Sequence, residues 1–135
     1  MKSKFSAMLL PVIAGFLSCT HKSEESLFGA PHCYADTAMV ISFRKDIAPL
    51  FRQSCAVSGC HSGTAPQAGL DLDSAAAYGS LSRPGSGYLN TVNPKGSLLY
   101  SQMISITTPM PPTGRLDSCN TKLILNWITQ GAKNN

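Results

Sequence analysis

The sequence predicts an all-α domain with long loops. Three stretches carry apolar residues at helical spacing, and no run of alternating apolar and polar residues describes a convincing strand. Residues 61 to 96 are rich in glycine and proline, which is typical of loops. About 115 residues remain after an expected leader, and this length makes one domain.

Residues 1 to 18 predict a cleaved export signal, with a basic start at Met1–Lys4 and an apolar run that ends at Leu17. The apolar run is too short to span a bilayer. Cys19 follows directly, and this arrangement resembles the lipobox of bacterial lipoproteins. We therefore expect an exported protein of the bacterial periplasm or cell envelope, anchored to a membrane by a lipid on Cys19. An ordinary cleaved signal with an unmodified Cys19 is the alternative.

The charge of the chain argues against one class of partner. The formal net charge is +4, and it falls to +2 once residues 1 to 18 with their two lysines are removed. Both values are small, and the chain has no block of Lys and Arg residues. A nucleic-acid partner is therefore not expected.

The first helix is expected from Ser42 to Cys55, at the start of a domain that covers residues 42 to 135. Residues 19 to 41 precede the domain as a lipid-anchored tether and N-terminal segment. The helix has apolar residues at helical spacing, namely Phe43, Ile47, Leu50 and Phe51. Pro49 is tolerated if Asp46 is the N-cap, because first-turn amides have no helical partner to lose. The alternative is an earlier start at Ser42 with a kink at Pro49.

Two weaker elements and a stiff loop follow the first helix. A weak helical turn is expected over residues 74 to 78, and Asn93-Pro94 opens a helix that covers residues 97 to 104. Residues 107 to 114 form a proline-rich loop.

The last helix is expected to begin near Asp117 or Ser118 and to end at Gly131, a residue type common just after a helix. It carries a coherent apolar stripe of Leu123, Ile124, Trp127 and Ile128. No internal repeat accompanies these elements.

Five cysteines in an exported chain require an explanation. One is assigned to the anchor, and the other four, Cys33, Cys55, Cys60 and Cys119, allow three disulfide pairings. His61 sets one pair apart because it directly follows Cys60. A c-type haem is held by two cysteine thioethers, and the histidine after the second cysteine is well placed to bind iron.

The spacing from Cys55 to Cys60 is two residues longer than in the usual Cys-x-x-Cys-His motif. The extra residues must bulge out, and Gly59 offers the most permissive backbone for this. A zinc module is a second interpretation, although adjacent Cys60 and His61 reach one tetrahedral ion with difficulty and no fourth donor is near. A third is a disulfide-stabilised lipoprotein interaction module without haem, in which Cys55 and Cys60 are bonded.

Met110 is the expected second iron ligand. A six-coordinate electron carrier closes the other haem face with a soft neutral donor, commonly a methionine thioether. Met110 lies between Pro109 and Pro111, and the prolines restrict the backbone of a donor whose bond to iron is weak. Most methionines fill gaps in a core, and this is the role expected of Met103 on its helix.

Together these features resemble a class I cytochrome c, most closely the planctomycete-type cytochrome c domains. The resemblance covers residues 42 to 132, about two-thirds of the chain. It is carried by Phe43-Arg-Lys-Asp-Ile-Ala-Pro-Leu-Phe51, Gly69-Leu-Asp-Leu72, Asn93-Pro94, Ser97-Leu-Leu-Tyr100, Met110-Pro-Pro and Trp127-Ile128 with Gly131-Ala132.

The resemblance implies a class I cytochrome c fold with three main helices and long loops around one c-type haem. The first and last helices would cross near Phe51 and Trp127. It also implies the ligands of the haem: thioethers from Cys55 and Cys60, His61 as the proximal iron ligand and Met110 as the distal one.

A disulfide between Cys33 and Cys119 is a further implication, because the chain termini lie close together in that fold. Closing a loop of about 85 residues stabilises a protein by up to about 4 kcal/mol. Two free thiols are the alternative.

By the same resemblance the chain is an electron carrier and not an enzyme, and it meets redox partner proteins in brief contacts as a monomer. A methionine ligand closes the iron face that a catalyst needs open, so peroxidase activity would be incidental. No grouping of carboxylates or Ser/His/Asp residues indicates catalysis. His21 and His32 are expected in solvent, whereas Asp71, Asp73 and Asp117 are expected in turns and caps.

Overall fold

Helices joined by long loops make up residues 39 to 73 and 75 to 135, which are the residues that the computed structural model describes. This part contains no β-strand, which confirms the all-α class. It falls within one compact unit. The expected signal peptide and the tether up to residue 38 lie outside the described residues.

The elements occur in the following order along the chain. A π-helical turn at Phe43–Ile47 continues into α1 at Ala48–Ser54, and α2 covers Ala77–Leu81, α3 Leu98–Ile104 and α4 Ser118–Thr129. Two short 3-10 turns, Gln67–Gly69 and Pro94–Gly96, interrupt the loops before α2 and α3.

The first helix starts at Ser42, so the expected N-cap at Asp46 is wrong and the alternative start is confirmed. Ser42 has extended backbone angles, and its hydroxyl accepts a hydrogen bond from the Lys45 N–H at 3.3 Å. Its own N–H donates to Oδ2 of Asp46 at 2.7 Å. Asp46 therefore supports the cap from inside the helix, in a reciprocal arrangement like a capping box.

Pro49 gives a physical reason for the π-helical turn. Proline has no N–H, and its ring crowds the carbonyl four residues before it. The chain widens just upstream, where the Ile47 N–H donates to the Ser42 carbonyl at 3.3 Å and the Ala48 N–H donates to the Phe43 carbonyl. A widened turn of this kind lets the helix continue through a proline.

The middle elements lie close to their expected positions. α2 begins at Ala77, slightly later than the expected turn at residues 74 to 78. The expected opening at Asn93-Pro94 forms a separate 3-10 turn, and α3 has Ser97, which is fully buried, as its N-cap. Its hydroxyl accepts a hydrogen bond from the Asn90 N–H at 2.8 Å, which ties α3 to the preceding loop.

Both ends of α4 confirm the sequence prediction. Oδ1 of Asp117 accepts hydrogen bonds from the N–H groups of Cys119 and Asn120, at 2.8 and 2.9 Å. At the other end Gly131 has a φ of +94°, and its N–H donates to the Ile128 carbonyl at 3.0 Å. The Ala132 N–H donates to the Trp127 carbonyl at 2.9 Å, completing a Schellman motif.

An aromatic cluster joins the first and last helices. Phe51 and Trp127 are fully buried, as expected, and Phe43 lies between them. Its ring centroid is 6.5 Å from that of Phe51 and 5.4 Å from that of Trp127. The last helix therefore meets the π-helical turn, where Phe43 lies, at the centre of the core.

The C-terminal segment closes over the start of the first helix. Asn135 accepts hydrogen bonds from the N–H groups of Phe43 and Arg44, both at 3.0 Å. Oε1 of Gln130 accepts one from the Ile41 N–H at 2.9 Å. The open N-terminal amides of the first helix are thus satisfied by residues almost a hundred positions away.

Candidate functional site

The Cys55–His61 loop begins at the end of α1 and turns back on itself. The Cys55 N–H donates to the Phe51 carbonyl at 2.8 Å, and the His61 N–H donates to the Cys55 carbonyl at 3.2 Å. Between them the Cys60 N–H donates to the Val57 carbonyl at 3.0 Å. Gly59 has a φ of +80° in this turn, so glycine supplies the permissive backbone that the longer spacing requires.

The next loop holds the His61 ring. Nδ1 of His61 lies 3.2 Å from the Leu70 carbonyl oxygen. Because a carbonyl can only accept, this contact is a hydrogen bond when Nδ1 carries the proton, and Nε2 is then left with its lone pair. Such a second partner fixes the ring and increases the basicity of the free nitrogen in metal-binding histidines.

Backbone hydrogen bonds connect the two loops. The Gln67 N–H donates to the Cys60 carbonyl and the Leu72 N–H donates to the His61 carbonyl, both at 2.8 Å. The side chains of Leu70 and Leu72 are buried in the core. The hydrogen-bond acceptor of His61 is therefore fixed by core packing.

The sequence does not predict the contact between His61 and the Leu70 carbonyl. Gly69-Leu-Asp-Leu72 contributed to the family resemblance, but no function was assigned to it. A backbone carbonyl has no side-chain signature, so only the fold reveals this contact. The apolar alternation of Leu70 and Leu72, which anchors the loop, was the available signal.

Cys55 and Cys60 both carry free thiols. Burial, and to a smaller extent the nearby Cys60, raise the pKa of the Cys55 thiol to about 11. The Cys55 thiol is therefore neutral at pH 7. The disulfide-stabilised interaction module would instead have these two sulfurs bonded.

The two candidate methionines have different surroundings. Met110 is 38% exposed, and its N–H donates to the Gln102 carbonyl at 3.1 Å, beside the end of α3. Met103 is 4% exposed and belongs to the core, in agreement with its expected role. The assignment of Met110 as the distal ligand stays a prediction, and Met110 is the more exposed of the two methionines.

The described residues give no geometric support to the zinc interpretation. Among the residues that the structure describes, no group of three or more His, Cys, Asp and Glu side chains is arranged to hold a metal ion. The carboxylates have local roles instead. Asp117 caps α4, and Oδ1 of Asp71 accepts a hydrogen bond from the Asp73 N–H at 2.9 Å, as in the expected turn.

A cavity of about 230 Å³ lies beside α2 and the loop that follows it. Its walls include Tyr78, Leu81, Arg83 and Leu89, and none of the predicted haem ligands lines it.

Cys119 takes part in a disulfide. Its expected partner Cys33 lies outside the described residues, so the pairing stays a prediction. Cys19, His21 and His32 also lie outside them. Within the described residues, no helix has both the length and the apolar character needed to cross a membrane.

Comparison with known proteins gives no relative. Neither a protein-family model nor a curated protein nor a solved structure matches the chain at a significant level. The functional argument therefore depends on the residues and their geometry.

Proposed function

We propose that the chain is an exported, lipid-anchored c-type cytochrome with one covalent haem, which transfers single electrons between redox partner proteins. The fold proposed for it is that of a class I cytochrome c. The observation that carries the proposal is the contact of His61 Nδ1 with the Leu70 carbonyl at 3.2 Å. It orients an imidazole whose Nε2 keeps its lone pair, in the same loop as two reduced cysteines, and these residue types are the ones that hold a c-type haem.

The residues of the Cys55–His61 loop fit a covalent haem in their chemistry. Cys55 and Cys60 would hold it through thioethers, and both sulfurs are available because neither is in a disulfide. The turn at Gly59 absorbs the two additional residues of the motif. His61 would bind iron through Nε2.

Met110 would close the other side of the iron. Met110 is partly exposed, unlike Met103, and its backbone is hydrogen-bonded to the end of α3. A thioether is a soft neutral donor and raises the reduction potential of the iron. When bound, the haem supplies a one-electron couple between ferrous and ferric iron.

The test is expression of the full chain in bacteria that can mature c-type cytochromes. We expect a coloured protein with a pyridine haemochrome spectrum of thioether-linked haem, and an intact mass increased by one haem. Cys60→Ala and His61→Ala should abolish stable haem incorporation, because each removes one attachment or ligand. Ser58→Ala, in the same loop, should retain it.

A colourless protein from competent cells would overturn the proposal. A mass lower by two hydrogens, mapped to a Cys55–Cys60 bond, would support the disulfide-stabilised interaction module instead. A normal haem protein from the His61→Ala variant would also contradict the assignment of this residue.

A further inference from the structure

A surface at the start of the first helix combines exposed apolar and basic side chains. It consists of Met39, Val40, Arg44, Lys45 and Lys133, all exposed, and we call it the helix-start surface. Met39 and Val40 are 51% and 78% exposed. Apolar side chains this open, next to several cations, suggest an interaction surface.

Hydrogen bonds fix the backbone of this surface in one arrangement. Nε2 of Gln130 donates to the Met39 carbonyl at 2.8 Å, and the Ile41 N–H donates to Oε1 of the same side chain at 2.9 Å. The Arg44 N–H donates to the Asn135 carbonyl at 3.0 Å, which brings the C-terminal segment with Lys133 to the same side.

Helix stability does not explain the two cations in the first turn. The N-terminus of a helix carries a partial positive charge, so Arg44 and Lys45 lie where acidic residues are favoured. The acid nearby, Asp46, is half-buried and accepts a hydrogen bond from the Ser42 N–H. The surface therefore remains positive, with three basic residues against one.

The net charge of the domain is also positive. Residues 39 to 135 contain eight basic and four acidic side chains, a formal charge of +4. The preceding exported part, residues 19 to 38, contains one basic and three acidic side chains, a charge of −2. The formal charge of +2 for residues 19 to 135 is thus the sum of a basic domain and an acidic preceding segment.

We propose that the helix-start surface lies against the anionic headgroups of the bilayer that carries the anchor. Arg44, Lys45 and Lys133 would meet the lipid phosphates, and Met39 and Val40 would enter the interfacial layer. This inference rests on the export and lipid anchor of the proposed function. It adds the orientation of the domain, which would turn one defined face toward the membrane.

The tether is long enough to allow this orientation. Residues 20 to 32 number thirteen, and an extended chain of that length spans up to about 45 Å. α4 has twelve residues and is about 18 Å long. Even with Cys33 bonded to Cys119 at the far end of α4, the domain can turn its helix-start surface to the lipid.

The test measures binding of the full exported chain, made non-acylated by Cys19→Ser, to lipid vesicles. Vesicles of phosphatidylglycerol and phosphatidylcholine in equal parts should bind the protein, and pure phosphatidylcholine should not. Added salt should weaken the binding. The triple variant Arg44→Glu, Lys45→Glu, Lys133→Glu should lose at least tenfold in partition coefficient, since each basic residue contributes about fivefold.

Matched variants separate a defined surface from general attraction. Lys95→Glu, Arg115→Glu and Lys122→Glu together change the net charge equally, and all three residues are exposed elsewhere on the domain. This triple should reduce binding much less. Val40→Ser should weaken binding, whereas Val92→Ser, at a residue 95% exposed, should not. Circular dichroism melting checks that each variant is folded.

Equal losses from the two triple variants would overturn the inference, because only the total charge would then matter. Absence of binding to the anionic vesicles would also overturn it and would favour an acidic protein partner. Haem content and acylation of Cys19 are measured separately on the unaltered chain. A colourless chain that binds the vesicles as described would refute the haem and leave the membrane surface intact.

Discussion

At His61 a single backbone contact determines what the side chain can offer to a ligand. The ring is half-buried, and its Nδ1 faces the Leu70 carbonyl at 3.2 Å. A freely rotating imidazole would pay an entropic cost on binding a metal, and would offer either nitrogen. The Leu70 contact restricts rotation of the ring and, with the proton on Nδ1, leaves Nε2 as the nitrogen that could bind a metal.

The proposed distal ligand, Met110, can be tested through the spin state of the iron in the proposed haem protein. Met110→Ala should keep the covalent haem, because the thioethers and His61 are unchanged. Loss of the thioether should turn the iron high-spin and lower its reduction potential. Visible spectroscopy of both oxidation states and a redox titration measure the two effects.

Met103→Leu is the matched control for the Met110 variant. Met103 is 4% exposed, and leucine has a similar volume, so the core should accept the change with little loss of stability. The spectrum and the potential should stay as in the unaltered protein. A high-spin spectrum from Met103→Leu with a normal spectrum from Met110→Ala would reverse the assignment.

The pKa of Cys55 predicts slow alkylation of its thiol in the haem-free protein. Because burial and the neighbouring Cys60 raise this pKa from 9.0 to about 11, the neutral thiol persists well above pH 9. At pH 8 its thiolate fraction is roughly 100-fold smaller than that of a thiol with pKa 9.0. Iodoacetamide should therefore modify Cys55 much more slowly in the folded protein than in urea, and the rate in the folded protein should rise with pH up to about pH 11.

Peptide mass mapping after timed alkylation measures the rate at Cys55 in the folded protein and in urea. The unfolded protein in urea is the control, because there the Cys55 thiol is no longer buried. Equal Cys55 rates in the folded and the unfolded protein at pH 8 would contradict the prediction.

Sequence spacing was sufficient to predict candidate haem-binding side chains, which stay predictions, but not their environments. The motif is recognisable because it depends on residue types and on the intervals between them; it consists of Cys55, Cys60 and His61. The carbonyl of Leu70 and the burial of the Cys55 thiol depend on contacts between segments that are apart in sequence. No local pattern specifies such contacts.

At the scale of secondary structure, helix ends were predicted well where one residue type determines them. Asp117 and Gly131 at the ends of α4 are such cases. The start of the first helix offers two candidate caps, and the fold uses Ser42 as the N-cap while Asp46, inside the helix, accepts a hydrogen bond from the Ser42 N–H. The π-helical turn before Pro49 is too rare a solution for a pattern to indicate.

Replacement of glycine by alanine should have opposite effects on stability at Gly131 and at Gly79. Gly131 has a φ of +94°, so Gly131→Ala should destabilise the protein by about 1–2 kcal/mol. Gly79 lies inside α2, and a Cβ there would meet no atom within 4 Å. Gly79→Ala should therefore stabilise the protein by about 0.5–1 kcal/mol.

Urea unfolding of the two variants, followed by circular dichroism, measures both changes on one scale. The slope of the transition should stay constant, because neither change alters the surface that unfolding exposes. A destabilised Gly79→Ala variant would show that α2 is not helical at this position in solution.

At the scale of the whole molecule, contacts between the start of the first helix and the C-terminal segment close the core. Hydrogen bonds from Phe43 and Arg44 to Asn135 bring the first helix and the C-terminal segment together. The hydroxyl of Tyr78 donates to the Ala132 carbonyl at 2.9 Å, which adds α2 to the same assembly. The sequence predicted Phe51 and Trp127 in the core, but the central position of Phe43 depends on this closure and was not predicted.

A covalent link across the ends of the domain should add to this closure. Cys119 is in a disulfide at the start of α4, and the predicted partner is Cys33. Cys119→Ser should reduce the free energy of unfolding by up to about 4 kcal/mol, because the denatured chain regains the freedom of a loop of about 85 residues. If the two cysteines pair, then Cys33→Ser and the double variant should lose the same amount, since each removes one bond. Denaturant unfolding of the three variants, with mass mapping of the unreduced peptides, measures this; additive losses would show that Cys119 is bonded to another cysteine.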